Sequence, residues 1–297
     1  MNIFNTLNRM KKKEQYVLLY CLLDRIPIIV VGECPETVDE FIMDLLNLIN
    51  FRKELVYFTD FTMKEELDNI FQNECYDFNS MRVQIRCPSN IGTKLIEQFD
   101  SFLAMIIGIQ IPKRNHLHLI EKMVKEKEKC FLEIILNENH IKTKFIGIDE
   151  KEINLDLEEM IFRKITENAE NSINKMKRVV HEQITKNEVN NGLLDSLLDF
   201  EIEKKEIKKN IFLKELQDFY SGAKRAFFIL SKLNLLNNMQ IDSKIGSKTL
   251  LETINYKDVP IERILSFILN EWGEDFSNII ENTKLAFIGD KIQSFWG

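Results

Sequence analysis

The chain is short of the residues that break regular structure. It has only 10 Gly and 5 Pro in 297 residues, which implies long elements and few long loops. Histidine occurs four times, so a metal site would be short of ligands. The cysteines, Cys21, Cys34, Cys75, Cys87 and Cys130, are scattered and odd in number, with no C-x-x-C pair. That pattern speaks against a disulfide framework and suits a reducing, cytoplasmic compartment. Positive charge is also in deficit, with 40 Lys and Arg against 47 Asp and Glu. A nucleic-acid partner is therefore not expected, because phosphate neutralisation drives such binding.

Long apolar runs are missing as well. Lys11-Lys12-Lys13 followed by Tyr16 to Leu23 imitates a signal peptide, but Asp24-Arg25 follows at once and no small-residue cleavage site appears. The run is about half the length needed to span a bilayer. It reads as a first helix packed on a sheet, and no membrane span is expected. No G-x-S-x-G, H-E-x-x-H or G-x-G-x-x-G occurs. The sequence thus offers no catalytic residue, metal or cofactor, although an enzyme site assembled from distant residues stays open. His116 and His118 lie two apart on an expected helix and do not share a face, which makes a poor metal pair.

What is present is apolar material for a large core: 44% hydrophobic residues, among them 21 Phe. Residues 1–150 alternate between strand and helix patterns. Ile26 to Val31 reads as a strand buried on both faces. Gly32 ends it, and Pro35 sits where a helix can start. Leu55 to Phe58 is a second strand. Met81 to Arg86 alternates polar and apolar, which predicts a strand with one polar face, nearer an edge. Phe102 to Ile109 is the most apolar strand and is placed centrally. Cys130 to Leu136 and Ile141 to Ile148 flank a hairpin loop at Asn137 to His140. The expected fold is α/β, with a mainly parallel, helix-flanked sheet in residues 1–150.

Residues 151–297 are expected to be mostly helical. Ile165, Ala169, Ile173, Met176, Val180 and Ile184 form a stripe at helical spacing. Asn190-Asn191-Gly192 reads as a turn. Ala226 to Leu236 is apolar around most of a helix, so it should be buried on nearly all sides. Val259-Pro260 introduces a helix that Gly273 ends. The carboxylate pairs Glu65-Glu66 and Glu158-Glu159 read as solvent-facing.

Two loops lie where an open α/β sheet binds ligands, beyond the carboxyl ends of its strands. The first, Gly32 to Glu40, occupies the position of a phosphate loop without its residues. Thr37 stands where the second glycine belongs, and Val38 and Asp39 replace the lysine and hydroxyl. Glu33, Glu36, Asp39 and Glu40 favour the helix dipole and repel a phosphate. The second loop, Arg86 to Lys94, is friendlier to anions. It combines a helix start with Arg86, Ser89, Asn90, Thr93 and Lys94. The simpler reading is that Ser89 or Asn90 caps the following helix. Cys87, beside Arg86, could have a lowered pKa.

The element order, with Gly32 after the first strand, Arg82 to Pro88 in the place of a metal-binding strand and Phe99-Asp100-Ser101-Phe102 through Ile111 as a later apolar strand, resembles P-loop NTPases, including small GTPases. The phosphate loop is lost, Arg86-Cys87-Pro88 has no Asp, and Asn137 to His140 lacks N-K-x-D. The resemblance covers residues 26–148 and implies a degenerate nucleotide-binding fold. A second resemblance, carried by Leu19 to Gly32, Leu45 to Phe51 and Phe102 to Ile109, is to the central module of DENN domains, exchange factors for small GTPases. It implies a small GTPase among possible partners and carries no site residue. The expectation is a non-enzymatic cytosolic regulatory or scaffolding protein that binds protein partners. The alternative is a nucleotide- or anion-binding switch using the Arg86–Lys94 loop.

Overall fold

In the computed structural model, the residues described are 7, 9–78, 80–111, 117–137, 141–148, 152–186 and 201–281. The N-terminal half is α/β. Helix α1 (Lys12–Leu23) leads into β1 (Ile28–Gly32), followed by α2 (Pro35–Leu48) and β2 (Lys53–Val56). Then come α3 (Lys64–Tyr76), β3 (Val83–Cys87), α4 (Gly92–Gln98), β4 (Met105–Gln110), α5 (Leu117–Lys127), β5 (Phe131–Leu136) and β6 (Ile141–Ile146). The six strands stand in the order β2-β3-β4-β1-β5-β6. The first five are parallel, and β6 returns antiparallel to β5.

β1 sits between β4 and β5, and all five of its residues are buried. Successive side chains of a strand point to opposite faces. Ile28 and Val30 accordingly join one apolar cluster with α1 and α2, while Ile29 and Val31 join another with α3, α4 and α5. The apolar strand β4 is internal, as its sequence predicts. β3 lies next to the edge strand β2, nearer an edge as its sequence predicts. On its polar side Arg82 and Gln84 are buried in a polar network, while Arg86 is partly exposed and pairs with Glu54 on β2. Arg82 donates to the Glu74 carbonyl, and Gln84 donates from Nε2 to Ala104 O at 2.6 Å.

The C-terminal half is helical. It comprises α6 (Asp156–Lys186), α7 (Glu201–Asn238), β7 (Ile245–Gly246), α8 (Ser247–Thr253), α9 (Ile261–Trp272) and β8 (Ile280–Glu281), the last pairing in parallel with β7. Gly273 ends α9 at φ +77°, a left-handed conformation that glycine adopts without strain. The turn expected at Asn190 to Gly192 and the stripe residues Ile173, Met176, Val180 and Ile184 lie outside the described residues or side chains. The helices cover the α1–α2 face of the sheet. One apolar cluster therefore runs from Val17, Phe41 and Leu132 through Ile161, Phe219 and Phe227 to Trp272.

The expectation that Ala226 to Leu236 is buried on nearly all sides does not hold. Ala226, Phe227 and Leu230 are buried, and Phe227 stacks on Trp272 with ring centroids 4.9 Å apart. Phe228 and Leu235 lie on another side of the helix and are exposed. Only one side of α7 meets α2, α6, α8 and α9, so apolar content alone overestimates its burial. No helix among the described residues is long and apolar enough to cross a membrane.

Candidate functional site

The carboxyl ends of β1, β3 and β4 converge on a crevice built by the two loops that the sequence singles out. Gly108 of β4 allows the β3 loop to lie directly on the strand, since a Cβ there would stand 2.9 Å from Ser89 N and Cα. Gly92 makes the matching approach, as its Cβ would reach 1.8 Å from Gly108 O. Any larger residue at either position would push the loop off the sheet. Pro35 begins α2 behind the first loop, with Cys34 as the N-cap residue.

Ser89 is buried and faces Asp39 on the first turns of α2. Its backbone N–H donates to Asp39 Oδ1 at 2.8 Å, and its hydroxyl donates to Asp39 Oδ2 at 3.1 Å. Neither Ser89 nor Asn90 caps α4, whose N-cap residue is Ile91 with no side-chain cap bond. The Ser89 side chain is committed to the neighbouring loop. The donors that would hold an external anion thus already hold an internal carboxylate.

The remaining members of the expected anion site are dispersed. Arg86 donates from Nε to Glu54 Oε1 on the neighbouring edge strand at 2.6 Å. Lys94 places its ammonium 4.4 Å from the centroid of the Phe58 ring. Asn90 and Thr93 are exposed. Cys87 differs from its expectation. It is buried, and burial, reinforced by Asp39, pushes its thiol up against the smaller opposite pull of Arg86. Cys34 is the exposed thiol of the crevice and donates to Glu36 Oε2 at 3.0 Å. His116 and the His118 side chain lie outside the described positions. Among the described residues no group of three or more His, Cys, Asp or Glu could hold a metal ion.

A second concavity, of about 400 Å³, lies at the opposite, amino ends of the strands, where α9 meets the sheet. Tyr20, Asp24, Pro27, Cys130, Ser266 and Asn270 line it. These residues come from distant parts of the chain, so no local sequence pattern announces them. Burial raises the Cys130 thiol to about 12, which makes it a poor nucleophile. The Glu128 carboxyl, also raised by burial, accepts from Ser101 Oγ at 2.9 Å and from the Phe102 N–H. Polar groups on this wall are engaged in holding the chain together.

Beside this concavity, buried ion pairs join the two halves. Arg263 of α9 reaches Asp24 at 2.9 Å and donates to Glu158 of α6, with all three side chains nearly inaccessible. Glu158 is therefore not solvent-facing, contrary to its sequence expectation. Helix α6 turns it inward beneath α9, while Glu159 is exposed. Burial holds the Asp24 and Glu158 carboxyls above their ordinary range despite the pull of Arg263. Farther along α9, Glu271 accepts from Arg52 Nη2 at 2.6 Å and Nε at 3.3 Å. Arg52 also donates to Leu22 O and Leu23 O at 2.6 Å and to Gln84 Oε1 at 3.1 Å. These bonds satisfy the carbonyls that end α1, and they account for the five donors of the guanidinium. No family model, curated protein or solved structure matches the chain.

Proposed function

We propose that this chain is a regulatory or scaffolding protein that works by binding protein partners and not by catalysis. One observation carries the reading: the Asp39 carboxylate accepts from both the N–H and the hydroxyl of Ser89, at the strand-end position where an α/β sheet usually receives its ligand. Glu33 and Glu36 stand exposed on the same rim and add negative charge where a phosphate would approach. The sheet then serves as a platform and leaves the exposed surfaces of the long helices for protein contacts.

Equilibrium binding of labelled ATP and GTP to the purified protein, with and without Mg²⁺, tests the reading. No saturation in the micromolar range is expected. Saturable binding that is abolished by substitutions within residues 32–40 would sink it. Partners captured from native cell extract should then bind as purified proteins in the absence of nucleotide. The resemblance to DENN modules makes a small GTPase the first to assay.

A further inference from the structure

The concavity at the amino ends of the strands encloses about 400 Å³ where the helical half meets the sheet. That volume falls within the range of about 300–1,000 Å³ found for small-molecule sites, which favour junctions between parts of a fold. The side formed by Ser101 and Glu128 has its polar groups engaged with each other. The side formed by α1 and α9 does not. Tyr20, Ser266 and Asn270 line it half-buried, and Ser266 and Asn270, four residues apart on α9, share a helix face. Among the described residues nothing bonds the Tyr20 hydroxyl, the Ser266 hydroxyl or Asn270 Oδ1. Asn270 Nδ2 donates to Asp24 Oδ2 at 3.0 Å, which fixes the amide and leaves its oxygen to accept from elsewhere.

The chemistry of the lining selects an uncharged ligand. Burial, with Asp24 nearby, pushes the Tyr20 hydroxyl up, so it stays protonated and can donate. The buried charges already have partners. Arg263 is paired with Asp24 and Glu158, and Arg25 with Glu74 at 2.9 Å. Lys127 gives its ammonium to Ile96 O, Glu97 O and Phe99 O at 2.6, 3.1 and 2.8 Å. Lys129 is exposed, where water and salt screen it. A charged ligand would lose hydration here without gaining a counter-charge. Ile26, Pro27, Leu103 and Ile148 supply apolar wall. The backbone at this edge is also held in a costly shape. Arg25 and Ala104 take φ of +58° and +57°, and the Ala104 N–H donates to Arg25 O at 2.9 Å. Strain of this kind gathers at ligand sites.

We propose that the concavity between α1, α9 and the amino ends of β1 and β5 binds an uncharged small molecule with an apolar body and a carboxamide-like end. The ligand N–H donates to Asn270 Oδ1, and its carbonyl accepts from the Tyr20 hydroxyl. Such a ligand touches both halves of the chain and ties α9 to the sheet. The site stands apart from the strand-end crevice and does not depend on the identity of any protein partner.

Saturation-transfer NMR on the full chain tests this with three probes of one shape: benzamide, benzoate and benzylammonium. Benzamide is expected to give saturable transfer, and the two ions none. Tyr20→Phe should weaken benzamide binding about two- to tenfold, the loss of one neutral hydrogen bond. Ser266→Phe fills the space and should abolish the benzamide signal while urea unfolding stays cooperative. Should Ser266→Phe not fold, Ile148→Trp is expected to block the same space with the same loss. The proposal is overturned by a parent chain without benzamide transfer, by transfer that survives in a folded blocked variant, or by an affinity indifferent to Tyr20→Phe. It is equally overturned if benzoate or benzylammonium binds as well as benzamide and is lost in the blocked variant, which would make the cavity a site for ions.

Discussion

The two ends of the sheet are closed by carboxylates in opposite ways. At the carboxyl end, half-exposed Asp39 bridges one loop to the next through Ser89. At the amino end, Glu271, Asp24 and Glu158 are sealed beneath α9 and pair with Arg52 and Arg263. The first closure occupies a crevice that water still reaches. The second joins the halves through charges that water does not reach. The difference teaches where the molecule can change. Breaking a buried pair strands a charge in low dielectric, whereas opening the crevice exposes polar groups to solvent that can satisfy them.

The largest effect is therefore expected at the amino end. Glu271→Ala should cost about 3–5 kcal/mol, because Arg52 keeps its charge but loses its counter-ion. Urea unfolding measures this. An unchanged midpoint would mean that the pair contributes nothing to joining the halves. Phe227→Ala, in the same seam, should cost about 3–5 kcal/mol through the cavity left beside Trp272. Its neighbour Phe228→Asp should cost less than about 1 kcal/mol, the range for exposed positions. Equal effects from the two would erase the distinction between the buried and exposed sides of α7.

Glu158→Ala should come next, at about 2–3 kcal/mol, since Asp24 still neutralises Arg263 while a charged hydrogen bond is lost. Glu159→Ala should stay within about 0.5 kcal/mol. Thermal unfolding of the two adjacent variants checks how sharply α6 separates inside from outside.

The same cluster has a pH signature. The Asp24 carboxyl is raised in the folded chain, with burial the largest cause. Its unfolded counterpart titrates near ~3.9. The folded state therefore binds the proton more tightly, and the stability from this proton is fully present below the unfolded pKa. It is lost as pH rises through the folded pKa. Asp24→Asn does not titrate and keeps an acceptor for Asn270. The stability of the parent relative to this variant should fall as pH rises from about 4 through the raised folded pKa. A flat or rising difference in paired denaturation curves would contradict the assignment.

The smallest effect belongs to the crevice. Asp39→Ala should cost about 1–2 kcal/mol, because water can replace the lost acceptor at a half-exposed site. It should also let phosphate bind weakly at Ser89, seen as a shift of the Ser89 amide on titration that the parent lacks. Phosphate binding of equal strength in the parent would favour the anion-binding reading.

Much of this was legible in the chain. Ile28 to Val31 has no polar interruption, so only a strand covered on both faces could accommodate it. Pro35 and Gly273 marked helix ends, because their backbone preferences act locally. The absent lysine after Gly32 was visible too. The partner of Ser89 was not, since Asp39 lies 50 residues away. Nor was the seam between the halves, whose bonds span 219 residues from Arg52 to Glu271 and 239 from Asp24 to Arg263.

Local stereochemistry and apolar periodicity were enough for the sequence to determine the α/β order, the central β4 and the helical C-terminal half. Which polar residues are buried was left to the tertiary structure. Gln84 and Glu158 look like surface residues in sequence, and each is inside because a distant arginine meets it there. Glu158 is inside because the counter-charge of Arg263 meets it there, and that meeting is a property of the folded chain.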